Sequence, residues 1–293
     1  WTRLTSTTSF SFVNDIAVDG NGNVFASCMY QYAGDSYGLQ KSSNGGTSWT
    51  QVLGSPVFGS STSAADIEIA ANGDMYVSLG IFDNGGIYTS TVQVTPANTG
   101  NAGTWVNITP NTSGIITAPS NSWHRVELAT APSNSNVVYA LFQGSGSYDC
   151  TSIQSYNKGT NTWTVRTVPT IIDQGSNSNF TRGQCWYDLI ATVDPNNANS
   201  LYIGGVDCLR SDDAGATWTQ MTTWSLFGAP AFTSAQNVHA DNHQIVYAPS
   251  SSSRMLISND GGIFYTTDAN ASPAKPTFAV KNNGYNVTQY YAM

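Results

Sequence analysis

Short apolar runs alternate with polar turns along this chain, and the alternation itself repeats. Residues 14–18, 65–69, 124–128, 187–191 and 243–247 each read as an opening strand. Each is followed by a cluster of Gly, Asn, Ser, Asp or Pro at 19–23, 71–74, 132–136, 194–199 and 249–253, the signal of a hairpin turn between β-rich runs. A second strand then carries a large apolar residue at Phe25, Tyr76, Tyr139, Tyr202 and Leu256, in steps of 51, 63, 63 and 54. A separate marker is a small-polar turn closed by an aromatic. Ser42-Ser43-Asn44-Gly45-Gly46-Thr47-Ser48-Trp49 and Ser211-Asp212-Asp213-Ala214-Gly215-Ala216-Thr217-Trp218 both fit Ser-x-Asp/Asn-x-Gly-x-Ser/Thr-Trp. Weaker versions end at Trp105, Trp163 and Phe278, so the aromatics step by 56, 58, 55 and 60 residues.

Both markers count five units, and a period of this length with four short strands per unit predicts a β-propeller. The expected fold is all-β, with four-stranded antiparallel blades at about 10–54, 62–110, 122–168, 184–222 and 238–281 in one domain spanning 1–293. Trp1-Thr2-Arg3-Leu4 reads like the last strand of a preceding blade, and residues 286–292 like the first strand of a following one. The chain is therefore expected to be a segment of a longer propeller, or one whose ring is completed by other chains, because an open ring leaves sheet edges unpaired.

Composition agrees with short strands and many turns. Only 10% of the 293 residues are charged: 16 Asp, 2 Glu, 6 Arg and 4 Lys. Gly and Asn accept positive φ, and Ser and Thr bond locally to backbone. The net charge of −8 argues against a nucleic-acid partner, which wants clustered Lys and Arg. No apolar run reaches the ~18 residues of a membrane helix. The chain begins at Trp1, which suggests a processed or trimmed chain with any export signal removed. Scarce Lys and Glu, with abundant Asn, Ser and Thr, lean towards a secreted or cell-surface setting. Sequons start at Asn107, Asn111, Asn179, Asn270 and Asn286. Cys28, Cys150, Cys185 and Cys208 hold no Cys-x-x-Cys pair, which argues against zinc. The readings are one bridge among Cys150, Cys185 and Cys208, which is favoured, or buried free thiols.

The turn motif resembles the Asp-box, or BNR repeat, of sialidases, xyloglucanase-type glycoside hydrolases and the sortilin-type receptor domain. The resemblance assigns structural roles to Ser42, Asn44, Gly46 and Trp49, and to Ser211, Asp213, Gly215 and Trp218. The stretch 186–291 is similar to secreted bacterial propellers, often Bacteroidetes exports through the type IX pathway. It carries Trp186-Tyr187-Asp188, Asp194-Pro195-Asn196, Gly204-Gly205-Val206-Asp207, His239-Ala240-Asp241-Asn242-His243, Asn259-Asp260-Gly261-Gly262 and Asn282-Asn283-Gly284. Three boxes depart from the pattern: Thr89-Ser90-Thr91 before an insertion, Ser155 to Trp163 with one extra residue, and Thr266-Thr267-Asp268 followed by Ala269-Asn270. Sialidases hold a carboxylate with three arginines, and none of the six here lies in an Arg-Ile-Pro context.

The sharpest chemical constellation is His239-x-Asp241-x-His243. On a strand the three side chains would share one face, where they could bind a ligand or a divalent metal, or simply finish the channel wall by bonding to one another. Asp15, Asp66, Glu68, His124, Glu127 and Asp188 are offered to the same channel by other opening strands. A carboxylate pair about 5–10 Å apart across a cleft would suit glycoside hydrolysis. The resemblance to xyloglucanase-type enzymes, which use aspartates on propeller loops, implies Asp83 and Asp260 as acids to inspect, with Asp188 of an opening strand a further one. The Asp-Gly turns at Asp83-Asn84-Gly85-Gly86 and Asp260-Gly261 equally suit hairpin closure. Asp19-Gly20-Asn21-Gly22-Asn23 opens like a calcium loop but lacks the sixth-position Gly and the twelfth-position Glu, which favours a hairpin turn. Trp123, Trp186, Tyr187 and Trp224 lie outside the turn motif, free to stack on sugars or to fill gaps between blades.

The leading expectation is a non-catalytic extracellular propeller that binds a glycan or a protein, or belongs to a cell-surface assembly, with no cofactor. The alternatives are a glycoside hydrolase of xyloglucanase type and a structural subunit of a polymer or multi-chain complex.

Overall fold

The computed structural model describes residues 4–30, 32–54, 63–81, 90–116 and 123–284. Five four-stranded antiparallel sheets follow one another along the chain, each ordered sequentially from its first strand to its fourth. Blade one holds β1 (Phe12–Val18), β2 (Val24–Met29), β3 (Gly38–Ser42) and β4 (Thr50–Leu53). Blade two holds β5 (Ala64–Ile69), β6 (Met75–Leu79), β7 (Thr91–Thr95) and β8 (Val106–Asn107). Blade three holds β9 (Trp123–Thr130), β10 (Val137–Gly144), β11 (Cys150–Asn157) and β12 (Thr162–Arg166). An inserted hairpin, β13 (Thr170–Asp173) and β14 (Ser176–Asn179), and one helical turn, α1 (Cys185–Asp188), precede blade four. That blade holds β15 (Ile190–Val193), β16 (Leu201–Gly204), β17 (Cys208–Ser211) and β18 (Thr219–Gln220). Blade five holds β19 (Asn242–Tyr247), β20 (Met255–Asn259), β21 (Gly262–Thr266) and β22 (Ala279–Val280). Among the described residues no helix is long and apolar enough to cross a membrane.

The blades stack face to face, and the second-strand aromatic is the main wedge. Phe25 packs on Ile67 and Val77 of the next blade. Tyr76 meets Leu128 and Ala140, Tyr139 meets Leu201 and Ile203, and Tyr202 meets Ile245 and Ile257. Each junction thus has its own apolar core, as a repeat architecture requires.

Polar groups of the first strands lace the same junctions nearer the axis. Asp15 Oδ2 accepts the Ile67 amide at 3.1 Å, and Asp66 Oδ2 accepts the Leu128 amide at 2.6 Å. Glu68 accepts the Thr130 hydroxyl at 2.8 Å, and Arg125 donates to the Leu189 carbonyl at 2.8 Å. Asn242 donates to the Gly205 carbonyl at 2.7 Å. These bonds satisfy edge backbone groups that would otherwise be buried unpaired.

The turn motif works as a local clamp. Ser42 Oγ accepts the Gly46 amide at 2.9 Å while Asn44 Oδ1 accepts the Ser48 amide at 2.9 Å. Ser211 and Asp213 repeat this with Gly215 and Thr217, each at 2.8 Å. The exposed Asp213 carboxyl is held down at about 2 by the Thr217 hydroxyl and amide. In blade five the motif is interrupted in sequence but rebuilt in space, because Asp268 accepts Thr277 across the intervening loop at 2.9 Å. Register moves two of the irregular boxes. Thr95 opposite Met75, and Asn157 opposite Val137, occupy the place of Ser42 opposite Val24, so the turns begin there and not at Thr89 or Ser155.

The expected bridge among Cys150, Cys185 and Cys208 is absent; all four cysteines are free and buried. Cys150 and Cys185 lie against one another as thiols, and burial pushes Cys28 up to about 12. A thiol reagent should therefore find none of them reactive in the folded protein and all four after denaturation. A denatured titre lowered by a pair of thiols would show a bridge instead.

Candidate functional site

First strands of the five blades converge on a central channel of about 530 Å³. Asp15, Asp66, Glu68 and Glu127 line it with one cation, Arg125, while Trp186, Tyr187, His243 and Gln244 line the side nearest blades four and five. Arg125 donates to Glu127 at 3.0 Å. The acids remain in contact with channel solvent but are enclosed by protein, and burial pushes Glu68 and Glu127 up to about 7. Asp66 is raised by burial and then by the charges of Glu127, Glu68 and Asp15, and Asp15 is raised by burial. Asp15, Asp66 and Glu68 are already committed to the next blade, and Glu127 to Arg125, so they serve the ring as connectors.

The exposed chemistry gathers at the channel mouth. His243 Nε2 bonds Asp260 Oδ1 at 2.7 Å, and the Tyr187 hydroxyl donates to the same carboxylate at 3.1 Å. Tyr187 meets the His243 ring edge-on, with centroids 4.8 Å apart, and Trp186 lies 5.5 Å from Tyr187. Trp186 and Tyr187 are both exposed. A pair of open aromatic rings beside a hydrogen-bonded carboxylate offers an apolar platform and polar anchors together.

Local structure explains this convergence. The strand expected over 187–191 starts only at Ile190, since α1 takes Trp186 and Tyr187 and turns both rings to the mouth. His243 is the extra residue of a β-bulge between Asn242 and Gln244, and bulges re-aim side chains. Equivalent bulges occur in blade one between Val13 and Asp15 and in blade two between Ala64 and Asp66. The Asp260 turn is held by Asn282, which donates to the Gly261 carbonyl at 2.7 Å and accepts the Ile263 amide at 2.9 Å. A Cβ on Gly262 would collide with that Asn282 side chain, and one on Gly261 with the His239 ring. The separated stretches around 205, 242, 260 and 282 are therefore parts of one framework.

His239, Asp241 and His243 do not share a strand face. Strand β19 begins at Asn242, and Asp241 has a φ of 63°, in the left-handed region. Asp241 accepts Gln184 at 2.8 Å, His239 bonds its own turn at Ala240, and only His243 faces Asp260. Among the described residues no group of three His, Cys, Asp or Glu side chains could hold a metal ion. Asp188, the last residue of α1, is fully buried near Gln184, and burial raises its carboxyl to about 8. His124 is half-buried on β9, is not part of the channel lining, and has its imidazole lowered by burial. Asp83 lies outside the described residues, as does the sequon Asn286. Trp123 is core, stacked at 4.6 Å on Phe142, and Trp224 donates to Asp173 of the inserted hairpin at 2.8 Å. Asp19 accepts the Asn21 and Asn23 amides, each at 2.9 Å, within its hairpin turn. Arg125, Gln184 and Gln244 were not singled out in the sequence, which holds no motif around them.

Fold and channel together define an all-β propeller of five four-stranded blades with an acid-lined axis and an aromatic mouth. No family model matches the sequence, and no curated protein does. Solved structures do. The Niastella koreensis GH74 enzyme superposes with a TM-score of 0.52 at 19% identity over 97% of this chain and 45% of that one. The extracellular domain of a protein described as a hybrid two component system from B. thetaiotaomicron gives 0.56 at 12% identity over 96% and 30%. YCF48 from Cyanidioschyzon merolae gives 0.49 at 13% identity over 90% and 69%. Identities this low speak for the fold alone, and the chain spans less than half the length of the first two.

Proposed function

We propose that this chain is a non-catalytic, extracellular glycan-binding propeller whose ligand is a neutral oligosaccharide held at the channel mouth. The observation that carries this reading is the joining of exposed Trp186 and Tyr187 to the Tyr187–Asp260–His243 network. Sugar rings present apolar C–H faces that stack on aromatic rings, and hydroxyls that bond to carboxylate and imidazole. The net charge of −8 and the acidic channel disfavour anionic sugars. The inner-strand acids are engaged with the next blade and Arg125, which leaves half-buried Asp260, bonded to His243 and Tyr187, as the carboxylate beside the aromatic pair. Export to the cell exterior belongs to the same reading, which draws on the sparse Lys and Glu content.

The test is calorimetric titration with cello- and xyloglucan oligosaccharides alongside a neutral-glycan array. Trp186→Ala should weaken binding about 3- to 10-fold, the worth of one stacking contact. Unchanged binding in that variant, or no binding to any neutral glycan, would sink the proposal. Release of new reducing ends that is lost in Asp260→Asn would replace it with the hydrolase reading.

A further inference from the structure

Tyr148, in the loop between β10 and β11, is 69% exposed at the same end of the propeller as the mouth. Three segments leave their sheets at the end where the first strands begin: that loop, the connection carrying α1, and the Asp260 turn between β20 and β21. Tyr148, Trp186, Tyr187 and Asp260 therefore belong to one face of the ring.

The backbone beneath Tyr148 is pinned. Its carbonyl accepts the amide of Cys185, the residue before Trp186, at 3.0 Å. Asp149 Oδ1 accepts the Gly183 amide at 2.6 Å, and the Cys150 amide donates to Thr181 Oγ1 at 3.1 Å. On the other side Gln143 donates to the Ser147 carbonyl at 2.9 Å, and Ser147 Oγ accepts the Asp149 amide at 3.1 Å. Arg125 fixes α1 in turn, donating to the Leu189 carbonyl just past its C-terminal end at 2.8 Å. Loop and helix are thus tied into one unit. A large ring with two side-chain torsions, held out on a fixed backbone, has little freedom to lose when it stacks on a ligand. A ring on a loose loop would lose more.

The aromatics fall in a series. Tyr187 meets His243 and Asp260 at the mouth, Trp186 lies 5.5 Å from Tyr187, and Tyr148 abuts the start of α1 beyond Trp186. We propose that Tyr148 is an outer subsite of the same binding face, so that the ligand is a linear neutral chain of at least three sugar units, one per ring, bound along its length. This rests on the glycan reading of the mouth. Polar groups anchor the inner end, where Asp260 and His243 meet sugar hydroxyls. Stacking holds the outer end, because Ser147 and Asp149 spend their side chains on the backbone.

Calorimetric titration with cello-oligosaccharides graded in length, from the disaccharide upwards, tests it. Wild-type affinity should rise with each unit until the chain covers Tyr148, and then level off. Tyr148→Ala should weaken the longer ligands about 3- to 10-fold and leave the disaccharide unchanged. Trp186→Ala should weaken every length. Tyr148→Phe keeps the ring and should match the wild type. Circular dichroism checks that the variants are folded. An equal loss at all lengths in Tyr148→Ala, or no loss at any length while Trp186→Ala binds more weakly, would overturn the outer subsite and leave the mouth reading standing. Binding of no length would overturn it too, and a neutral-glycan array would then decide whether the mouth takes another sugar.

Discussion

Tyr202→Ala should destabilise the protein by about 3–5 kcal/mol in equilibrium urea unfolding, whereas Leu256→Ala at the same repeat position should cost less than about 1 kcal/mol. Tyr202 is fully buried at the junction of blades four and five, among Ile245, Met255 and Ile257. Its hydroxyl donates to the Ala269 carbonyl at 2.6 Å, a bond that ties the blade to the turn of its neighbour. Truncation removes the ring, leaves a cavity in a close-packed interface and deletes that bond. Leu256 is half-exposed and meets no following blade among the described residues, so its loss opens no closed cavity. Equal costs for the two substitutions would contradict the exposed face of blade five.

Stability should fall as pH rises from about 4 to about 8, opposite to the usual behaviour of proteins held by exposed salt-bridged carboxylates. Burial raises Asp188 and Asp207 to about 8 and Glu68 and Glu127 to about 7 in the folded chain. Unfolded, such groups titrate near the ordinary value of about 4. Between those limits the native state binds more protons than the unfolded state, so the slope of unfolding free energy against pH is negative. The stabilisation is whole below the unfolded value and is lost as pH rises through the folded one. Each fully buried group contributes up to about 1.4 kcal/mol per pH unit in its window. Unfolding midpoints should therefore be higher near pH 5 than near pH 8. Asp188→Asn is the sharper form of the test, since Asp188 Oδ1 has no partner and a neutral amide replaces a carboxyl that is protonated there. The variant should flatten the slope while leaving stability near pH 5 little changed. An unaltered slope would show that Asp188 ionises freely.

Much of the architecture was legible because a propeller is a local, repeated pattern. Phe25, Tyr76, Tyr139 and Tyr202 mark blades directly, as each must be large and apolar to wedge the next junction, and Leu256 marks the fifth blade by the same pattern. Turn chemistry was equally local: Ser42 with Asn44 and Ser211 with Asp213 close rings of eight residues or fewer. Reading failed where the backbone leaves the ideal strand. The alternation at His239, Asp241 and His243 was interrupted by the left-handed Asp241 and the bulge at His243. The opening of blade four became α1, which no periodicity over four residues announces. The hairpin of β13 and β14 was missed, although Gln174 and Gly175, both at positive φ, form its two-residue turn.

The sequence by itself determined the class of fold, the number of blades and the residues that wedge them, since hydrophobic period and turn chemistry act over a few neighbours. Tertiary structure alone decided what the acids do. Asp15 and Asp66 on their opening strands, and Asp260 in its Asp-Gly turn, carry no mark of their partners in sequence, but the first two meet a neighbouring blade's amides while the third meets Tyr187 and His243. It also decided that Leu256 and Ile16, patterned like their buried equivalents, lie open, because burial depends on which blade stands beside a face and not on the face itself.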